Sequence, residues 1–208
     1  MSQDRWYTMN LTRRAQRLLV EDLPLEDALP TQMPVYVNSI VYLFGVTVLS
    51  ALVALIATGV VMCLFGPGWY HGSRVGHFVN SLHFWSVQVF FAALILHMVS
   101  KYMMAAWRDG RWKTWVVGAL ALEVAVFTGL TGFLSQTNWD SQWIAVQAKD
   151  AINALGVGAF FNTMNTGQVL TLHIVVLPLL LVLLVSVHLF FIRREGPVKP
   201  LERLGRHE

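Results

Sequence analysis

The stretch HFWSVQVFFAALILH at residues 83–97 places a histidine at each end of an apolar run. In an α-helix, at about 100° and 1.5 Å per residue, His83 and His97 lie close to one face and about 21 Å apart. A second apolar stretch, LHIVVLPLLLVLLVSVH at residues 172–188, repeats the arrangement with His173 and His188. We therefore predict two helices that each carry imidazoles at two levels.

The composition indicates a membrane protein. Charged residues make up only 13% of the 208 residues, whereas soluble domains carry about 25%. No Asp, Glu, Lys or Arg occurs between Asp150 and Arg193, and similar gaps elsewhere leave room for the helices of about 20 residues that cross a bilayer. Such spans must be helical, because hydrocarbon offers backbone amides no other partner. We predict four spans, A to D, at about residues 37–64, 79–104, 114–134 and 168–192.

The rest of the chain divides into two flanks and one long connection. Residues 1–34 lack the continuous apolar core of a signal peptide, so NLTRRAQRLLV predicts an interfacial helix, with a plain solvated leader as the alternative. Residues 35–192 form the predicted four-helix domain, and residues 193–208 form a basic tail. Within residues 135–167, NWDSQWIAVQAKDAINALGVGAFFN predicts one or two amphipathic surface helices.

Lysine and arginine counts predict the orientation in the membrane. The N-terminal segment, the B-to-C connection and the C-terminal tail hold thirteen of the fifteen, and the other two connections hold Arg74 and Lys149. The positive-inside rule then places both termini in the cytoplasm, and we expect a bacterial cytoplasmic membrane. A basic face against anionic lipid accounts for the net charge of +3, so no nucleic-acid partner is expected.

The matched histidine pairs of spans B and D favour haem ligation. A single intramembrane histidine can be a satisfied core residue or a proton relay, but two pairs at matching levels are hard to explain in that way. Zinc needs four ligands at one level, and each level supplies two. Two imidazoles suit the two faces of a haem iron. Because this leaves no open position on the iron, it favours electron transfer over oxygen chemistry.

Four glycines in spans A and C support this interpretation. Gly45 and Gly59 have the spacing i to i+14, as do Gly118 and Gly132, and the span B histidines have the same spacing. Glycine lets a large planar group approach the backbone, although ordinary helix packing in membranes also uses small residues. The single cysteine, Cys63, permits no Cys-x-x-Cys-His attachment motif, so we expect two haems bound non-covalently.

These residues resemble the N-terminal, four-helix half of cytochrome b, in the split form of chloroplast and cyanobacterial cytochrome b6. The resemblance covers about residues 24–200. It rests on VN at 37–38, ATG at 57–59, SLH at 81–83, His97, TWVVG at 114–118, TG at 131–132, LHIVVLP at 172–178 and HLFFIRREG at 188–196.

The resemblance implies an all-α membrane protein whose four-helix bundle binds two stacked b haems in a quinol:cytochrome c oxidoreductase. With the predicted orientation, His83 and His173 would ligate the outer haem iron, and His97 and His188 the inner one. The span D histidines have the spacing i to i+15, which is typical of the split form.

The sequence departs from the family at the haem edges. Arginines usually occupy the positions of Phe84 and Gln168, near haem propionates. Four basic residues remain as propionate candidates, the first on the outer side and the others on the inner side: Arg74, Lys101, Arg111 and Arg193. The covalent third haem of the chloroplast type needs a cysteine near the inner end of span A. This chain has Tyr42 and Leu43 there, so we expect no such haem.

The resemblance also implies quinol as a substrate, with the C-to-D connection covering its pocket. The candidates for the pocket rim are Phe133, Trp139, Asp140 and Trp143, each of which also suits a plain packing or surface role. Glu123 is the only acid within a predicted span, and intramembrane carboxylates tend to be functional. It is a candidate proton relay near an inner quinone site, with pairing to another subunit as the alternative.

Further subunits are implied as well. The Pro-Glu-Trp-Tyr motif of the family's other half does not occur in the sequence. We therefore expect a separate C-terminal-half cytochrome b subunit, a Rieske iron-sulfur protein and a c-type cytochrome in a homodimeric complex, with no activity of the isolated chain. Two other classes stay open. One is a dihaem membrane anchor that links quinone to a peripheral dehydrogenase or reductase, and the other is a transporter-like or structural bundle.

Overall fold

A computed structural model describes residues 35–136 and 138–199 of the chain, and these residues form helices and no strands. A 3₁₀ turn covers Val35–Asn38. In the described ranges five helices then follow along the chain: α1, Ile40–Gly72; α2, Arg74–Met103; α3, Trp112–Leu134; α4, Trp139–Ala154; and α5, Thr166–Glu195. The predicted N-terminal interfacial helix and the tail beyond Lys199 lie outside the described residues.

Within the described ranges, four helices are long and apolar enough to cross a membrane, namely α1, α2, α3 and α5. They correspond to the predicted spans A to D, so the chain is an integral membrane protein of the all-α class. The most extensive packing joins α1 to α2 and α3 to α5. Only Ser73 separates α1 from α2, and these two helices run in opposite directions, since Gly45 lies against His97 and Gly59 against His83.

The first spanning helix is interrupted at Gly66, whose φ of 74° and ψ of 174° are not helical. Glycine adopts this positive φ without steric cost. Pro67 follows, and proline suits the first position of a helix because that position needs no N–H donor. The membrane-crossing part of α1 therefore ends close to the predicted limit of residue 64, and residues 67–72 form a separate helical turn.

A tight turn at Ser73 fixes the offset between α1 and α2. The Ser73 N–H donates to the carbonyl oxygen of Trp69 at 2.9 Å, and its hydroxyl accepts from the N–H of Gly76 at 2.9 Å. Gly76 is buried, and a Cβ at this position would collide with the backbone of Trp69 and Tyr70. Because backbone cannot move aside as a flexible side chain can, this turn requires glycine.

The apolar core takes buried side chains from every spanning helix. They are Ala51 and Leu52 of α1, Phe90 of α2, Ala125 of α3 and Leu181 of α5. Phe90 lies midway between the two histidines of α2, and Ala125 lies midway between the two predicted site glycines of α3. The core therefore lies midway between the two histidine levels, about 10 Å from each by helical rise.

Helix α4 covers the end of the bundle that carries His173. Leu134 of α3, Ala145 of α4 and Val169 of α5 form a second buried cluster, and the Thr163 hydroxyl donates to the Ala145 carbonyl at 2.6 Å. The cluster anchors α4 across the ends of two spanning helices. The C-to-D connection thus contains a helix where the sequence predicts one or two.

Candidate functional site

His83 of α2 and His173 of α5 face each other across the bundle. Their ring centres are 6.4 Å apart and their planes are inclined by 83°. Two imidazoles that bind one metal ion from opposite sides, at about 2 Å each, have ring centres roughly 6 Å apart. The two helices therefore bring the first predicted pair to a separation that suits two imidazoles on one metal ion.

The Nδ1 atoms of this pair are both hydrogen-bonded. His173 Nδ1 lies 3.0 Å from the carbonyl oxygen of Thr128, which can only accept, so Nδ1 carries the proton. His83 Nδ1 lies 2.8 Å from Thr58 Oγ1. Since the Thr58 hydroxyl donates to the Ala54 carbonyl at 2.7 Å, its oxygen accepts the proton of His83. Each Nε2 then keeps the lone pair that a metal ligand needs.

The second predicted pair lies on the opposite side of the core. His188 Nδ1 is 3.0 Å from the carbonyl oxygen of Thr114, so this histidine has the same tautomer as His173. His97 Nδ1 is buried and has no hydrogen-bond partner among the described residues. A buried polar atom without a partner costs free energy, whether it is a donor or an acceptor. His97 is therefore the histidine whose ring this chain constrains least.

Each of the four predicted site glycines lies against a different histidine. If a Cβ is built on each glycine, its distances to the nearest imidazole atom are 2.6 Å for Gly132 and His173, 2.9 Å for Gly118 and His188, 3.2 Å for Gly45 and His97, and 3.4 Å for Gly59 and His83. The glycines thus make room for the imidazole rings, and the contacts from α3 are closer than those from α1. They also sort the histidines into the same two levels that the sequence predicts.

The buried cation Arg111 lies at the end of the bundle nearest His188. Its guanidinium donates to the carbonyl oxygens of Glu195, at 2.7 Å, and of Gly196. Its Nε is buried and has no partner within the described part of the chain. Lys101 lies at the same end, with Nζ 4.0 Å from the centre of the Tyr42 ring. Two of the predicted inner propionate candidates are thus close to the second histidine level.

The other two basic candidates are exposed. Arg193 lies in the last turn of α5, at the same end as Arg111. Arg74 is the first residue of α2, at the end that carries His83. Their positions along the helices agree with the predicted division into one outer and three inner cations, and their roles stay predictions.

The candidates for a quinone pocket lie at the end of the bundle that α4 covers. Phe133 packs against the cluster formed by Leu134, Ala145 and Val169. In α4, Trp139 is 82% exposed and Trp143 is 59% exposed, and Asp140 is an exposed residue of the first turn. The two tryptophans therefore present apolar surface at this end of the bundle.

A groove of about 380 Å³ opens beside the first histidine level. It is lined by Phe160, Phe161, Gly167, Gln168, Thr171 and Leu172. The last two residues immediately precede His173 in α5, and Phe161 also packs against the α4 cluster. The two phenylalanines are not among the site residues predicted from the sequence. Their only signal is the apolar segment GAFFN at the end of the C-to-D connection.

Glu123 occupies the exposed side of α3, and no described residue pairs with it. Its neighbours on that side are apolar and exposed, among them Leu120, Val126 and Phe127. A carboxylate on such a surface is costly inside a bilayer. Glu123 therefore faces away from both histidine levels and towards the surroundings of α3.

The fold and the facing imidazoles define a class of membrane protein, with four spanning helices and histidine pairs at two levels. The family model Cytochrome b(N-terminal)/b6/petB matches residues 88–207, more than half of the chain, and the protein belongs to this family.

Two relatives are cytochromes b6. The cytochrome b6 of Heliomicrobium gestii is 27% identical over 139 residues, which cover 62% of this chain and 65% of that protein. The cytochrome b6 of Heterocapsa triquetra is 27% identical over 213 aligned positions, covering 89% and 96%.

A solved structure shares the fold. A chain of the structure titled Hyperthermophilic respiratory Complex III aligns with a TM-score of 0.70 at 19% identity, covering 98% of this chain and 58% of that chain. This chain therefore spans less than two thirds of the length of that solved chain, and likewise of the Heliomicrobium protein.

Membership confirms the resemblance to the N-terminal half of cytochrome b, a family of proteins that bind haem b. The residues present fit that group. Each level supplies two imidazoles, and among residues 35–136 and 138–199 no three His, Cys, Asp or Glu side chains converge as a structural zinc site would require. A pair of imidazoles is a donor set that suits a haem iron.

Proposed function

We propose that this chain is the dihaem cytochrome b subunit of a quinol:cytochrome c oxidoreductase, moving electrons across the membrane between an outer and an inner quinone site. The observation that carries the proposal is the facing pair His83 and His173, 6.4 Å apart, together with a second histidine pair beyond the same core. His83 and His173 hold one non-covalent b haem, and His97 and His188 hold the other. When bound, haem supplies one-electron redox chemistry.

The chain's own part is to orient the ligands and to keep the two levels apart. Backbone carbonyls of α3 accept the Nδ1 protons of His173 and His188, which fixes the orientation and the tautomer of both rings. Between the levels lies the apolar core around Phe90 and Leu181. This core excludes water and holds the two sites about 21 Å apart by helical rise.

The two ends of the bundle suit different roles. The positive-inside count assigns His83 and His173 to the outer side. The apolar groove beside His173, lined by Phe160 and Phe161, supports binding of a quinol ring at that end, with exposed tryptophans of α4 nearby. At the inner end, Lys101 and Arg111 supply positive charge for propionates or for a reduced quinone.

The function we propose requires partners. They are a C-terminal-half cytochrome b subunit, a Rieske iron-sulfur protein and a c-type cytochrome, in a homodimeric complex of a bacterial cytoplasmic membrane. Support comes from family membership and from the relative titled as a respiratory Complex III, of which this chain covers 58%. We expect mass spectrometry of the purified complex to identify a Rieske protein. A molybdenum or nickel enzyme in its place would favour the dihaem anchor, which Phe84 and Gln168 at the usual arginine positions would also allow.

Ligand substitution tests the two sites separately. His173→Ala and His188→Ala should each reduce the haem content of the purified complex from two b haems per chain to one, because each removes a ligand from one level only. His71→Ala is the matched control, since this exposed histidine lies outside both pairs, and it should keep both haems. Haem per chain is measured from the pyridine haemochrome spectrum. Retention of two haems in either ligand variant would overturn the assignment.

A further inference from the structure

The two histidines of α5 are one residue further apart along the chain than the two glycines of α3 that they face. His173 lies against Gly132 and His188 lies against Gly118. In a pair of uninterrupted α-helices, one additional residue would rotate one histidine by about 100° relative to its glycine. One turn of α5 between the two histidines must therefore contain an additional residue.

A π turn at Leu172–Val176 contains the additional residue. The N–H of Leu177 donates to the carbonyl of Leu172, five residues earlier instead of four. A π turn holds one more residue than the α-helical turn it replaces. In contrast, α2 is α-helical throughout, and its two histidines have the same i to i+14 spacing as the glycines of α3. Because of the π turn, His173 and His188 point in the same relative directions as two histidines with the spacing i to i+14 in a regular α-helix.

Pro178 explains why the π turn forms at this point. It is the second residue of the α-helical segment Leu177–Glu195. Proline has no N–H and its ring clashes with the carbonyl four residues earlier, here that of Ile174. It is tolerated in the first turn of a helix. The α-helix therefore restarts at Leu177, and the preceding turn widens.

We propose that Pro178 is a positioning residue, which imposes the π turn and so keeps His173 and His188 in register with the ligands of α2. This inference rests on the proposed haem ligation. It predicts that α5 can lose one residue between His173 and His188 and still bind both haems only if that residue is removed from the π turn.

Two single-residue deletions test this. Each gives the α5 histidines the spacing i to i+14, but one deletion lies within the π turn and the other lies beyond it. Deleting Val175 within the π turn, combined with Pro178→Ala, should restore a continuous α-helix and keep two haems per chain. Deleting Leu183 leaves Pro178 and the π turn in place, rotates His188 by about 100° and should leave one haem. Val175 and Leu183 are both exposed aliphatic residues, so neither deletion removes a core side chain.

Haem per chain and the amount of chain in the membrane are measured for both variants in the complete complex. The proposal requires the Val175 variant to exceed the Leu183 variant in both quantities. Equal values, or the reverse order, would overturn it.

An insertion in α2 provides an independent arm. An alanine between Gln88 and Val89 lengthens the histidine spacing of α2 to i to i+15 without a proline, and this variant should lose one haem. Two haems in this variant would show that no proline-directed π turn is needed for the longer spacing. Failure of the proposed haem ligation gives a different result, because the unaltered chain would then contain fewer than two haems.

Discussion

The Thr114 hydroxyl donates a 2.6 Å hydrogen bond to Oε2 of Glu195, while the carbonyl of Thr114 accepts from Nδ1 of His188 at 3.0 Å. The first turn of α3 is thereby joined both to the last turn of α5 and to a histidine of the second level. Thr114 is buried, so its hydroxyl is shielded from competing water. The contact with Glu195 therefore holds the Thr114 carbonyl at the distance that His188 requires.

Thr114→Val removes the donor and keeps the shape of the side chain. A hydrogen bond to a charged group contributes about 1.5–3 kcal/mol, so we expect stability to fall by that amount and haem to leave the second level first on heating. Thermal release is followed by the loss of b-type absorbance. Thr47→Val is the control, because the exposed Thr47 hydroxyl donates within its own helix, to the Leu43 carbonyl at 3.0 Å. Equal losses in the two variants would contradict the prediction.

The four site glycines should differ in their tolerance of alanine. Gly132→Ala and Gly118→Ala should each cost a haem, because the new Cβ would lie 2.6 Å and 2.9 Å from an imidazole that a backbone hydrogen bond holds in place. Gly45→Ala, with the new Cβ 3.2 Å from His97, should lose part of its haem. Gly59→Ala, with the new Cβ 3.4 Å from His83, should keep almost the haem content of the unaltered chain. Overpacking of this kind costs about 1–3 kcal/mol. Haem per chain is measured for each purified variant.

Gly68→Ala is the control for this series, since nothing lies within 4 Å of a Cβ at that position. It should keep both haems and full stability. A series in which all four site glycines behave alike would indicate that ordinary helix packing, and not the distance to an imidazole, determines the outcome.

The orientation of the chain can be tested by cysteine labelling. In a Cys63→Ser background, Lys149→Cys on the exposed surface of α4 should react with a membrane-impermeant maleimide in intact cells. Lys113→Cys, at the start of α3, should react only after the membrane is broken. The thirteen-to-two charge bias predicts this result. The opposite labelling pattern would reverse the assignment of the outer and inner haem sites.

The spanning helices were predictable because long stretches of the sequence are apolar and almost free of charged side chains. Spans C and D were expected at residues 114–134 and 168–192, and the helices are Trp112–Leu134 and Thr166–Glu195. Span A was expected to end at residue 64, and the helix is interrupted at Gly66. In each case, a run of apolar side chains long enough to cross the bilayer left little freedom in the fold.

The details of the histidine sites were less accessible from the sequence. The acceptors of His173 and His188 are backbone carbonyls, which every residue has, so no side-chain pattern marks them. The π turn had a visible signal in Pro178, but the i to i+15 spacing alone does not indicate how the extra residue is absorbed. Contacts such as that of Arg111 with Glu195, 84 residues apart in the chain, depend on how the helices pair.

The guanidinium of Arg111 joins the start of α3 to the end of α5, and its geometry should matter more than its charge. It donates to the carbonyl oxygens of Glu195 and Gly196, which the end of the helix leaves without partners. Arg111→Lys keeps the positive charge and loses the planar fork, so we expect a loss of about 1–3 kcal/mol in stability and earlier haem release from the second level. Arg193→Lys, at an exposed site on the same end, should behave as the unaltered chain in the same thermal measurement. If Arg111→Lys also behaves as the unaltered chain, charge alone at this position is sufficient and the two carbonyl contacts do not stabilise the site.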